Sequence, residues 1–394
     1  MTAALKWMAG RLLRLLPEAL RGRVLPGRYD YRVADIPPPI EPPSTPVRLF
    51  IAPVNYAGQA HEWGRAAAQN LPGVGAVNLA FRTPDDFTHA SDAVVPVGVW
   101  AASSRWQREL RRTVLGGFTH AIVEAQRWPF GAPLDESVHG QVQSMLRAGL
   151  RVAMLCHGSD IRLPSRHAAL NPDSPFAGAL ATTPDLERTA RESRRLLDRL
   201  GLPVFVSTAD LLIDAPEATW LPVVIDVEAW RVEARVMQAE RPVVVHAPSK
   251  GAIKGSDLVD PVAQRLHDEG LIEYRRIEGV PHAQMREVYR GADIVLDQFR
   301  IGDYGVAACE GMAAGRLVVG HVNPGVRRAA LEASGIELPI VDATGATLEA
   351  VLRGIVADRD RAAAVAATGA EFVRVLHDGR RSADVLRPFL LGAS

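Results

Sequence analysis

The chain has 394 residues, which at ~100–200 residues per domain points to two domains. Hydrophobic residues make up 47% and charged residues 23%, a globular balance that excludes a disordered chain. Forty-five basic against 45 acidic residues give zero formal charge, which disfavours a nucleic-acid partner, and two cysteines exclude a disulfide scaffold and fit a reducing compartment.

Residues 1–28 read as a basic amphipathic helix. Met8, Leu12, Leu15, Leu16 and Leu20 recur at helical spacing, and Lys6, Arg11, Arg14, Arg21, Arg23 and Arg28 outnumber Glu18. That pattern fits either a helix lying on an anionic membrane surface or one packed on its own domain or a partner. Arg11 and Arg14 interrupt the apolar stretch, so a signal peptide is not expected. No apolar run of about 18 residues occurs, and the expected location is cytoplasmic, with peripheral contact at the inner membrane face. Residues 35–46 contain six prolines and read as a stiff extended spacer.

From Val47 onward, strands and helices alternate. Strands are expected at Val47–Pro53, Val74–Phe81, Ala93–Trp100, His120–Glu124, Arg151–Cys156 and Pro203–Ser207, with helices between them. The rhythm breaks at 218–226, and a polar helical stretch, Val227–Glu240, follows. Alternation restarts with strands at Pro242–His246, Glu273–Ile277, Ile294–Phe299, Leu317–His321 and Pro339–Val341, and the tail after Ala343 reads as helical. The expected domains are 1–46 (helix and linker), 47–220, and 221–394 with its last helix packed back on the first domain. Each would hold a parallel sheet covered on both faces, with ligands outside the C-terminal strand ends.

Three loops in the second half carry chemistry. The first, His246-Ala-Pro-Ser-Lys-Gly-Ala-Ile-Lys-Gly-Ser-Asp, leaves a strand and enters a helix. Only three of the 45 basic residues are lysines, and two of them, Lys250 and Lys254, stand here. Ser249, Lys250, Lys254 and Gly255 combine point charge, close backbone approach and helix-terminal amides, a set suited to a diphosphate. The spacing is not that of a P-loop. The second loop, Ile277-Glu-Gly-Val-Pro-His, offers backbone at Gly279 and Val280 to a flat base. In the third, Asp303 reads as a helix N-cap, with amides of Tyr304, Gly305 and Val306 behind it. Seven steps at ~100° would set Glu310 within about 20° of Asp303 on that helix.

The segment Pro242–His321 resembles the donor domain of retaining GT-B glycosyltransferases of family 4, and the first half resembles their N-terminal domain more loosely. The resemblance implies an α/β GT-B fold, two Rossmann-like parallel-sheet domains facing across a cleft. It implies that Lys250 and the Lys254-Gly255 pair hold a donor diphosphate, that Gly279-Val280 meets the base, and that Glu310 binds the ribose. The family's Glu-x7-Glu motif is incomplete, because Gly302 stands where its first acid belongs and Asp303 is the neighbour. That first acid contacts the donor sugar in the family.

In the first half, the turn after the first strand offers Asn55, Gly58 and Gln59 on the acceptor side. The strand ending at Cys156 runs into His157, followed by Asp160 and Arg162. The resemblance puts a histidine at this strand end beside the transferred sugar. His157 and Asp303 are therefore the expected catalytic groups, His157 orienting the sugar. The Asp358-Arg-Asp360 triplet lies in an Ala-rich helical tail and reads as solvated surface, and no zinc spacing occurs. The expected activity is retaining transfer of a sugar from a nucleotide-diphospho-sugar to a glycan, lipid-linked or polysaccharide hydroxyl, with no metal and no cofactor. A nucleotide-sugar epimerase or hydrolase, and a non-catalytic nucleotide-sugar-binding protein, remain open on the same residues.

Overall fold

The computed structural model describes residues 30–83, 89–132, 136–178, 180–248 and 250–392. The basic segment 1–28 and Ser249 lie outside the described residues. The chain forms two compact units, one from residues up to Asp160 with Glu192–Val206 and Ala383 onward, the other from Ile161–Arg191 and Ser207–Ser382. A single boundary at 220 differs from this division. The chain passes between the units several times, which a pattern read linearly does not reveal.

In the first unit, β1 (Val47–Ala52), β2 (Val74–Arg82), β3 (Ala93–Pro96), β4 (His120–Glu124), β5 (Arg151–Cys156) and β6 (Val204–Val206) lie in the order 3-2-1-4-5-6. Each adjacent pair is parallel. Leu49, Phe50, Ile51 and Ala52 have no exposure, as a strand covered on both faces requires. Helix α1 (Gln59–Asn70) follows β1, and α2 (Ser104–Gly117) precedes β4. The strand expected over Ala93–Trp100 stops at Pro96, and Val97–Ala102 is helical. An apolar run this short has no periodicity to separate strand from helix.

The proline-rich segment is more than a spacer. Ile40 is buried, Pro43 leaves no room for a side chain at Gly75 of β2, and Pro42 does the same at Gly117, the last residue of α2. Six prolines pre-extend the segment, and the two glycines receive it.

The second unit includes the short strand β7 (Thr219–Trp220) and a five-stranded parallel sheet. That sheet holds β8 (Val243–His246), β9 (Glu273–Arg276), β10 (Ile294–Leu296), β11 (Leu317–Gly320) and β12 (Ile340–Asp342), in the order 12-11-10-8-9. Alternate residues face opposite cores. Val244, Ile294, Leu296 and Leu317 join one, while Val245, Val295 and Val318 join the other. Helix α3 (Ser256–Asp268) packs on the first face, and α4 (Val306–Ala313) and α5 (Arg359–Leu376) border the second. Of the polar stretch Val227–Glu240, only Val227–Trp230 is helical. Among the described residues, no helix is long and apolar enough to cross a membrane.

Candidate functional site

The sheet of the second unit places three loops at the C-terminal ends of β8, β9 and β10. Strand β8 ends in His246, which is fully buried. Its Nδ1 donates to the Leu296 carbonyl (2.8 Å), and its Nε2 accepts from the Ser256 hydroxyl (3.0 Å). Burial pushes its pKa down to about 4, so it is a neutral strut that ties β8 to β10 and to the start of α3.

Beyond it, exposed Lys250 caps a single helical turn, Gly251–Lys254. Gly255, at φ +82°, then turns the chain into α3. A Cβ at Gly255 would press on Arg300 Cγ and Phe299 Cβ (3.1 and 3.3 Å), so this turn requires glycine in both space and backbone angle. Lys254 points back across the sheet, with Nζ 2.6 Å from Oδ1 of the buried Asp297 just past β10. Lys254 thus meets a carboxylate that spacing alone did not reveal. Gly279 (φ +67°) is exposed in the loop after β9 and Val280 is half-buried, leaving backbone accessible there.

The third loop corrects the sequence expectation. The N-cap of α4 is Gly305, not Asp303. Asp303 precedes the helix, so the shared azimuth with Glu310 does not exist. Its carboxyl is instead buried and hydrogen-bonded to Asp210, and the Tyr304 amide bonds that same carboxyl instead of standing open. Arg162, expected on the acceptor side, belongs to the second unit and joins this cluster. Its Nε donates to Asp210 Oδ2 at 3.0 Å, and the Thr208 hydroxyl donates to Asp210 Oδ1 at 2.7 Å. Burial, then the neighbouring Asp210, pushes Asp303 well above the usual carboxylate range. Burial would raise Asp210 too, but Arg162 and the hydrogen bonds outweigh it and hold Asp210 low. The two acids therefore share one proton beside one guanidinium. The Tyr304 ring is buried, and its hydroxyl donates to His377 Nε2 (3.1 Å).

Gly302 explains the missing acid. Its φ is +75°, its carbonyl accepts from the Asn323 amide (2.8 Å), and a Cβ there would overlap the Asn323 side chain. A glutamate here would take on left-handed strain and have to push the Asn323 side chain aside. Gly305 and Val306 open α4, where first-turn amides lack intrahelical acceptors. One turn on, Glu310 is 4% exposed and accepts from His282 Nε2 at 2.6 Å. His282 was not singled out in the sequence. It starts a 3-10 turn after Pro281, and its ring lies 5.6 Å from that of Trp230.

In the first unit, a second cluster sits at the ends of β1, β4 and β5. Its centre is Glu124, the last residue of β4 and fully buried. It accepts from the Val54 amide (3.1 Å), the Asn55 amide (3.2 Å) and His157 Nε2 (3.0 Å). His157 stacks on buried Trp63 (5.9 Å) and meets the edge of exposed Tyr56 (5.1 Å). Asp160 accepts from the His157 amide (3.0 Å) and the Gly158 amide (2.7 Å), shaping the loop.

Asn55 is left-handed at φ +55°. Its side chain donates to the Ala90 carbonyl (2.8 Å) and the Ser91 hydroxyl (2.6 Å). Gly58 (φ +76°) caps α1, and Gln59 is buried with its amide 3.4 Å from the Ala57 carbonyl. Four of the five non-glycine positive-φ residues described, Asn55, Ala57, Ala125 and Gln126, fall in the loops after β1 and β4. Backbone strain concentrated this way is characteristic of functional loops. A glutamate ending an otherwise apolar strand, His-Ala-Ile-Val-Glu, was the sequence signal for Glu124.

No protein-family model matches the chain, and no curated protein matches it in sequence. Solved structures do match in fold. Sucrose-phosphate synthase from Thermosynechococcus elongatus aligns with TM-score 0.55 at 11% identity, over 86% of this chain and 96% of that one. WaaG, a glycosyltransferase involved in lipopolysaccharide biosynthesis, aligns with TM-score 0.52 at 12% identity, over 88% and 100%. Anabaena HepE, solved in complex with UDP and glucose, aligns with TM-score 0.52 at 12% identity, over 86% and 97%. The chain has the GT-B glycosyltransferase fold, two Rossmann-like parallel-sheet domains.

Proposed function

We propose that the chain is a glycosyltransferase that takes a sugar from a nucleotide-diphospho-sugar and passes it, with retention at the anomeric carbon, to a hydroxyl acceptor. A glycan, a lipid-linked glycan or a growing polysaccharide is the acceptor class. The observation that carries the reading is the convergence of Lys254 and the Glu310–His282 pair at the strand ends of one Rossmann-like sheet. Lys250 and Lys254 supply charge for the leaving diphosphate, the Gly305 and Val306 amides add donors, and Glu310 takes a ribose hydroxyl. His157, held by Glu124, orients the sugar, and Asn55, Gly58, Gln59 and Asp160 frame the acceptor side. No step needs a metal or cofactor.

HepE in complex with UDP and glucose supports a uridine donor as the first to try. Titration calorimetry with UDP, GDP and ADP is the test. One of them binds, and Lys254→Ala weakens it about 10–100-fold, the worth of a charge-assisted hydrogen bond. Unchanged binding in Lys254→Ala, or no binding of any of the three, defeats the donor assignment.

Gly302 favours a second reading, a nucleotide-sugar-binding protein without transferase activity. The backbone angle there disfavours an acid in the first position of the Glu-x7-Glu motif, and the Asp303 carboxyl is engaged by Asp210. Nucleotide-sugar binding with no product from any acceptor would select it. Free sugar or its epimer without an acceptor would instead indicate a hydrolase or epimerase.

A further inference from the structure

Glu310 sits in a position that opposes its own ionisation. It lies on α4 among Ala308, Cys309 and Met312, and its side chain is 5% exposed. Burial raises its pKa, and a carboxyl left alone there drifts toward the neutral form. A neutral carboxyl loses the charge that makes it a strong acceptor for a hydroxyl.

The groups facing Glu310 come from several elements. Lys254 ends the turn after β8 and favours its charge, Asp297 past β10 opposes it, and Tyr289 and Cys309 are pushed up by burial first and by its charge second. Lys254 is already engaged by Asp297 at 2.6 Å. Among the described residues, the side chain in direct hydrogen-bond contact with the Glu310 carboxylate is His282, at 2.6 Å and 37% exposed. Its ring is placed by Trp230, which also packs on Tyr289 at 5.6 Å.

We infer that His282 is a positioning residue that keeps Glu310 ionised and aimed for the ribose of a nucleotide, so that nucleotide affinity survives mild acid. This rests on the donor-site reading above. The imidazole gains a proton in the range where a buried glutamate would take one up, and the charge stays on the carboxylate. Without His282, Glu310 neutralises as the pH falls and the ribose contact weakens.

The experiment is UDP calorimetry at pH 5.5 and 8.5 on the full chain, its His282→Leu and Glu310→Gln variants, and the double variant. His282→Leu should weaken UDP binding modestly at pH 8.5, where the lost hydrogen bond no longer aims Glu310, and about tenfold more at pH 5.5. Glu310→Gln should be weak at both, and the His282 substitution should have no further effect in that background. A His282→Leu ratio that does not change with pH means a merely structural side chain and overturns the inference.

A second readout needs no nucleotide. NMR titration of the ligand-free chain should place the His282 midpoint above 6.5, falling in Glu310→Gln. An unmoved midpoint also overturns the inference. If wild type binds no nucleotide while this coupling is present, the donor reading fails and the His282–Glu310 pairing stands.

Discussion

Gly302 shows how one backbone angle decides which side chain a site can carry. At φ +75° with the Asn323 side chain against it, the position penalises every L-residue for two reasons at once. Gly302→Glu, which would restore the Glu-x7-Glu spacing with Glu310, should therefore destabilise the fold by about 3 kcal/mol from left-handed strain plus overpacking. Urea unfolding measures it, and a loss below 1 kcal/mol would refute the steric account. Asp303 calls for a different experiment. Its pKa is raised in the folded state, so its contribution to stability is full below the unfolded value near 4 and is lost as pH rises through the folded value. Asp303→Asn keeps a donor toward Asp210 and removes the titration, so stability should fall less between pH 4 and 8 than in wild type. Parallel pH–stability curves for the two proteins would contradict the shared proton.

At the scale of elements, α4 carries the Glu310 side chain and the first-turn amides, and two glycines fix its seat. A Cβ at Gly311 would press on Val318 Cγ2 (3.2 Å) and Val295 Cγ2 (3.4 Å), and one at Gly369 of α5 on Met312 Cβ (3.1 Å). The helix is gripped between sheet and α5 with no slack. Gly369→Leu should cost about 1–3 kcal/mol and weaken nucleotide binding, although residue 369 touches α4 at Met312, near the end opposite the amides. Thermal unfolding and calorimetry together check this; loss of stability with intact affinity would mean that α4 does not position the site.

The same elements show what the sequence can convey. Strands such as His120–Glu124 and Arg151–Cys156 were legible because burial on both faces leaves a continuous apolar run. Lys254, Gly255 and Glu310 were legible because they fall where such strands end. Their partners were not. Asp297 is 43 positions from Lys254, His282 28 from Glu310, Glu124 33 from His157 and Asp210 48 from Arg162. Which charge meets which depends on strand order and crossover, and no local pattern encodes that. Asp303 differs for a related reason: a glycine-rich approach moves the N-cap two residues on, to Gly305.

On the scale of the whole molecule, the proline strap is seated on Gly75 and Gly117 of the first unit. Both glycines lie toward the starts of β2 and β4, away from the strand ends that carry His157. If residues 1–28 bind an anionic surface, deleting them should abolish flotation with phosphatidylglycerol vesicles and leave nucleotide affinity unchanged. Equal flotation of both forms rules the membrane role out.

Arginine supplies almost every ion pair across the described surface, and Lys254 is the one lysine among those pairs. Guanidinium groups do not react with amine-acylating reagents under mild conditions. The molecule therefore presents three ε-amines besides its α-amino group, and two of the three stand at one loop. Exposed Lys250 should acylate before Lys254, whose side chain is 18% exposed and held by Asp297. A nucleotide diphosphate seated on that loop would shield both, so mass-spectrometric counting of acyl groups reads donor-site occupancy directly from the native protein.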